Sequence, residues 1–198
     1  MNRTDERRGG RAFTQYAEMG RRFLLVIALA FWLGGFTFYA GVVIHTGHRV
    51  FGSARDTGFL TQQVTGWLNL SGAVVLTILW WNAVASRKVR GRWLQGGLWL
   101  TWAMMAGVQV ALYALHPMLD RLLDVETHAI SERALFRRLH LVYINLSTIQ
   151  WAAGVLHTLL ALLAWRAIDL AKDSLPASFD DTNSSRQRPN PNPVQAAP

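Results

Sequence analysis

The chain has 198 residues, 51% of them apolar and 16% charged, with no cysteine and a formal net charge of +8. Without thiols, disulfides, thiolate metal centres and thiol nucleophiles are excluded. The apolar residues concentrate in four stretches that hold no Asp, Glu, Lys or Arg, namely 23–44, 57–86, 93–119 and 139–165. Each exceeds the roughly 20 residues a helix needs to cross a bilayer, and none has the charged face of a soluble helix. The mean hydropathy of only +0.16 reflects polar ends diluting these stretches. The alternating dyad pattern of a membrane β-barrel is absent, so helices remain as the way to satisfy the backbone in lipid.

Residues 1–22 form a basic segment with Arg3, Arg7, Arg8, Arg11, Arg21 and Arg22. Within it Phe13, Tyr16, Ala17 and Met19 suggest a short interfacial helix leading into span one. A four-span membrane domain is expected over 23–166, with spans at about 23–45, 60–85, 93–116 and 139–165. The small-x-small site Ala28-Leu29-Ala30 follows too short an apolar run for a cleaved leader, so span one is read as retained. The turn after span two carries Arg87, Lys88, Arg90 and Arg92 with no acid. The third loop, 117–138, balances Arg121, Arg133, Arg137 and Arg138 with Asp120, Asp124, Glu126 and Glu132. Its residues Leu119, Leu122, Leu123, Ile130, Ala134 and Leu135 recur at helical spacing, which predicts an amphipathic helix on the membrane surface. Beyond Arg166 the segment 167–198, with Pro189, Pro191 and Pro193, is too polar to bury a core and is expected to be a disordered cytoplasmic tail.

Basic residues number 14 in the two terminal segments and the second loop, against 6 in the first and third loops. Cytoplasmic loops hold the excess, so both termini are expected in the cytoplasm of an inner (plasma) membrane. The positive charge is thus a topology signal, and no nucleic-acid partner is expected. Trp80, Trp81, Trp93 and Trp165 fall near the cytoplasmic span ends, where indole rings favour the headgroup layer.

Polar and small residues recur at alternating three and four spacing in each span, the period of a left-handed bundle. The stripes are Gly34, Phe38, Gly41, His45 and His48; then Gln62, Gly66, Asn69 and Ala73; then Gln95, Trp99, Trp102, Ala106, Gln109, Tyr113 and His116; then His140, Tyr143, Ser147, Gln150, Gly154, His157 and Ala161. Four stripes on one axis predict an all-α, up-down-up-down four-helix bundle. Gln62, Asn69, Gln109, Gln150 and His157 then either bond the helices together or line a polar lumen.

Five of the six histidines fall at the outer end of this scheme. His45, His116 and His140 sit on stripes at similar depth and are candidate ligands for a metal or haem. His48, Asp120, Asp124 and His128 are possible additions. The plain alternative is that these are interfacial histidines. His157 lies ~25 Å from His140 along span four at 1.5 Å rise per residue, with no second histidine at its depth, which excludes a bis-histidine haem there.

Trp32-Leu33-Gly34-Gly35, then Phe36, Phe38 and Val42-Val43, followed by Gly58-Phe59-Leu60-Thr61 and Asn69, resemble transmembrane-protein-205-like four-span proteins, a domain of unknown function. More distantly they resemble the membrane part of copper-resistance-D proteins. The first resemblance implies a compact four-span domain, the second a link to copper, and neither transfers a functional residue. The leading expectation is a non-enzymatic bundle protein, structural or handling a small solute, with no cofactor and the lipid bilayer as its partner, alone or as a homo-oligomer. The alternative is a histidine-built binder of haem b or of copper or zinc, and a third is an enzyme acting on lipid or quinone through His116 and His140.

Overall fold

The computed structural model describes residues 3–85, 92–124, 129–130 and 132–173. Among the described residues the ordered elements are all helices apart from one antiparallel pairing of two-residue strands. Helix α1 runs Arg3–Phe38, passes through a π-helical turn at Tyr39–Val43, and continues as α2, Ile44–Phe51. Helix α3 spans Ala54–Ala85, α4 Arg92–Leu122 and α5 Arg133–Asp173. Four helical segments are long and apolar enough to cross a membrane.

Local chemistry explains the breaks. Gly52 ends α2 in the left-handed region at φ 65°, a conformation glycine adopts without Cβ strain, and donates its N–H to the His48 carbonyl at 3.1 Å. Ser53 then starts α3: its Oγ accepts the Asp56 N–H at 3.1 Å and donates to the Asp56 carboxylate at 2.6 Å, a reciprocal cap. Pro117 lies inside α4, where it supplies no N–H to the preceding turn, yet the helix continues to Leu122.

Several boundaries differ from the sequence reading. The basic N-terminal segment holds no separate interfacial helix, because nothing between Arg3 and Phe38 interrupts one continuous α1. The third loop is not a surface helix. Its first part extends α4 and its last part begins α5, while Leu123–Asp124 and Ala129–Ile130 pair antiparallel between them. The loop's helical periodicity was the continuation of the two flanking helices. Helix α5 likewise carries on to Asp173, into the expected tail, whose remainder lies outside the described residues.

The most extensive helix pairing is α4 with α5; α3 packs on both α1 and α4, and α1 meets α5 more sparingly. A cluster of Leu25, Leu29, Trp32, Leu79, Leu98, Met105, Ala161 and Ala164 fills the junction of all four. Near the same end the Arg22 guanidinium forks onto the Asp169 carboxylate at 2.7 and 2.8 Å and lies 5.5 Å from the centre of the Trp165 ring. Arg21 hydrogen-bonds the side-chain and main-chain oxygens of Asn82. Phe31, Trp67, Leu100 and Val110 are each at least 70% exposed. Such residues in water would be a liability, but against lipid tails they are matched to their solvent.

The inward faces agree with the expected stripes on two helices. On α5, Tyr143, Ser147, Gln150, Gly154, His157 and Ala161 are buried, and on α3 Asn69 is buried with Gln62, Gly66 and Ala73 half-buried. On α4 the fully buried face is Leu94, Leu98, Thr101, Met105, Gln109, Leu112 and Leu119; of the expected stripe Gln109 is buried, Gln95, Trp99, Trp102, Ala106 and His116 are half-buried beside that face, and Tyr113 is exposed. On α1 the expected stripe lies away from the packed core, although Gly41 and His48 of it line a cavity. Gly34, Phe38, Gly41, His45 and His48 are exposed, and Leu25, Leu29 and Trp32 on the opposite face make the core. Without a hydrophobic penalty for lipid exposure, shape rather than polarity selected that face, and Trp32 is the piece that fits. Trp165 is also a core residue, 7% exposed beneath Arg22, whereas Trp80, Trp81 and Trp93 are exposed.

Candidate functional site

Two polar systems occupy the interior at different depths. The deeper one is a closed ladder of hydrogen bonds. Gln150 Nε2 donates to Gln109 Oε1 at 2.7 Å, and Gln109 Nε2 donates to the Asn69 carbonyl at 3.1 Å. Asn69 Nδ2 donates to the Tyr143 hydroxyl at 2.9 Å, and the Tyr113 hydroxyl reaches the Asn69 carbonyl at 3.2 Å. Further along, Thr101 Oγ1 and His157 Nδ1 are 2.8 Å apart, and His157 is fully buried with no hydrogen-bond partner described for Nε2. These bonds tie α3, α4 and α5 together, each at the order of 0.6–1.7 kcal/mol typical of membrane interiors.

The ladder is therefore glue rather than a lumen at this depth. Gln150→Leu, which strips the donor from Gln109, is expected to cost the fold about 1–2 kcal/mol. Gln109→Leu with Gln150→Leu should cost less than the sum of the singles, and a double-mutant cycle of unfolding in mixed micelles measures the difference.

The second system is a cavity of about 900 Å³ at the other end of the bundle. Trp151 Nε1 donates to Thr37 Oγ1 at 3.2 Å, joining α5 to α1 on the cavity wall. From there outward, Tyr39, Gly41, Ile44 and His48 of α1, the π turn and α2 line one side, and His140, Tyr143 and Ser147 of α5 another. The π turn lies in this wall. Such turns add a residue to the helix and redirect the side chains after it, and they are frequent at functional sites.

The walls are largely apolar and aromatic, with Phe36, Leu68, Leu119 and Phe136 among them. One polar cluster stands in them. Gln62 Nε2 donates to Asp120 Oδ1 at 2.7 Å, and His116 Nε2 lies 3.7 Å from Asp120 Oδ2. The His116 ring is 6.3 Å from the Tyr143 ring, and His140 stacks on Phe136 at 5.7 Å. The Ser147 hydroxyl is buried in the same wall with no partner among the described residues.

The sequence-derived candidates divide accordingly. His116, His140, His48 and Asp120 line the cavity, though His48 Nδ1 is engaged 2.8 Å from the Ile44 carbonyl of its own helix. His45 is exposed and off the cavity wall. The Asp124 side chain and all of His128 lie outside the described residues. Among the described residues no group of three His, Asp or Glu side chains is arranged to hold a metal ion. Of the five lumen candidates only Gln62 reaches the cavity; Asn69, Gln109, Gln150 and His157 are buried deeper.

No family model, curated protein or solved structure matches this chain. The site is therefore read from its own residues. Sequence reasoning missed Tyr39, Thr61 and Trp151 as cavity residues: Tyr39 opens a π turn, which leaves no sign in hydrophobic periodicity, and Thr61 and Trp151 lie off the stripes expected for α3 and α5.

Proposed function

We propose that this protein is an up-down-up-down bundle of a bacterial-type inner membrane, with both termini cytoplasmic, that holds a small amphiphilic molecule in its outer cavity without performing chemistry on it. The observation that carries the reading is the cavity itself, about 900 Å³ of mostly apolar space with one convergent polar cluster at Asp120, Gln62 and His116. Sites for small molecules have this size and this ratio of apolar wall to placed polar groups. The bundle direction is supported by the pairings Arg22 with Asp169 and Arg21 with Asn82 near one end, and Gln62 with Asp120 near the other. The orientation is supported by the 14 basic residues on the cytoplasmic side against 6 outside.

A neutral fluorescent amphiphile, N-phenyl-1-naphthylamine, added to the purified chain in nanodiscs tests this. Saturable binding of one probe per chain is expected. It should be lost on filling the cavity with Ser147→Phe or with Gly58→Phe, the second at a wall position where an added Cβ meets nothing within 4 Å. Partitioning that never saturates and is the same in all three proteins would refute the site. A Soret band, or stoichiometric copper, zinc or iron in the purified protein, would replace this reading by the histidine-ligated alternative.

A further inference from the structure

The chemical class of the occupant follows from the charges on the cavity wall. Among the described lining residues Asp120 is the sole carboxylate, and no Lys or Arg is present. The Asp120 carboxylate accepts one neutral hydrogen bond, from Gln62, and among the described residues no Lys or Arg pairs with it. The His116 ring at 3.7 Å is beyond hydrogen-bond distance of its other oxygen. An anion entering this space would meet a carboxylate and no Lys or Arg, and would be repelled. A neutral molecule would draw nothing from Asp120 beyond a hydrogen bond.

A cation would gain on both counts. The carboxylate offers Oδ2, which has no hydrogen bond described and lies 3.7 Å from His116 Nε2, and the aromatic residues Phe36, Tyr39, Phe136, Tyr143 and Trp151, a side-chain class that attracts positive charge, line the space. The remaining, largely apolar wall surface suits apolar substituents on that cation, and Asp120 is the sole described carboxylate in it to replace the hydration of a small inorganic ion. We infer that the cavity selects lipophilic organic cations, such as quaternary ammonium or aryl phosphonium compounds, with Asp120 and the surrounding rings holding the charge. The inference rests on the amphiphile site proposed above and names its ligand class.

Tetraphenylphosphonium and the isosteric anion tetraphenylborate separate charge from shape and hydrophobicity. With the full chain in zwitterionic nanodiscs, tetraphenylphosphonium should displace N-phenyl-1-naphthylamine and tetraphenylborate should not. Asp120→Asn should lower the affinity for tetraphenylphosphonium, relative to that for the neutral probe, at least tenfold, and Asp120→Glu should restore most of the ratio. If tetraphenylborate competes as well as the cation, or Asp120→Asn leaves the ratio unchanged, or Asp120→Glu behaves as Asp120→Asn, cation selection is wrong while the amphiphile site stands. If the wild-type chain shows no saturable site for the neutral probe and none for the cation, both readings fall.

Discussion

Trp32→Ala will cost the fold about 3 kcal/mol or more, whereas Phe31→Ala, one residue away, will cost less than 1. Trp32 is 1% exposed and Phe31 73%. The indole stands edge-on to Phe36 at 6.0 Å and occupies the space left by two glycines, Gly72 on α3 and Gly154 on α5. It is the piece that lets α1, which has sparing contact with α5, key into the rest of the bundle. In lipid, burial itself contributes little, because Trp leaves one apolar medium for another. The loss instead comes from the void and the missing dispersion contacts. Reversible unfolding in mixed micelles measures it, and equal costs for the two substitutions would mean that α1 does not present this face.

Gly72→Ala is expected to cost about 2–3 kcal/mol, from one methyl group. A Cβ at Gly72 would stand 2.7 Å from Gln109 Oε1 and 3.0 Å from Trp32 Nε1. Neither neighbour is free to move. Gln109 Oε1 accepts from Gln150 at 2.7 Å, and Trp32 is 1% exposed within the packed core cluster. The methyl group must therefore break a rung of the ladder or push α1 away. Gly107→Ala, where an added Cβ meets nothing within 4 Å, should leave stability unchanged or slightly raised by the better helix propensity of alanine. In a Trp32→Ala background the cost of Gly72→Ala should fall, since half of the obstruction is gone. Equal effects at Gly72 and Gly107 would contradict the packing.

How much could be read in advance follows from what a membrane makes visible. The four spans were plain, because a helix that crosses lipid must be uninterrupted by charge and long enough, and both properties are one-dimensional. The inward faces of α3 and α5 were also plain, since Asn69, Gln150 and His157 need partners away from lipid. The face of α1 was not. Its polar and small residues, Gly34, Gly41 and His45, form a good stripe but are exposed, and nothing in the local pattern marks the aromatic Trp32, rather than Phe31 beside it, as the residue that packs inward.

For the site, the outer cluster was visible as a concentration of histidines, and three of them do line the cavity. Histidine suggested metal ligation and drew attention to His45, which the structure leaves outside the cavity, while Asp120 entered only as a possible addition to the histidines. Its role depends on α4 continuing past Pro117 to carry Asp120 onto Gln62, and local sequence gives no reason to prefer that over a break at the proline.

Everything said about the site depends on its lying at the outer mouth of four crossings, and the absence of cysteine from the chain makes that directly measurable. Single cysteines at Met19, Val50 and Leu170 occupy well-exposed helix positions at 63%, 71% and 59%. Intact cells are treated with a membrane-impermeant maleimide, before and after lysis. Val50→Cys should be labelled in intact cells, and Met19→Cys and Leu170→Cys only after lysis. Labelling of Met19→Cys or Leu170→Cys from outside, or of Val50→Cys only after lysis, would contradict the account.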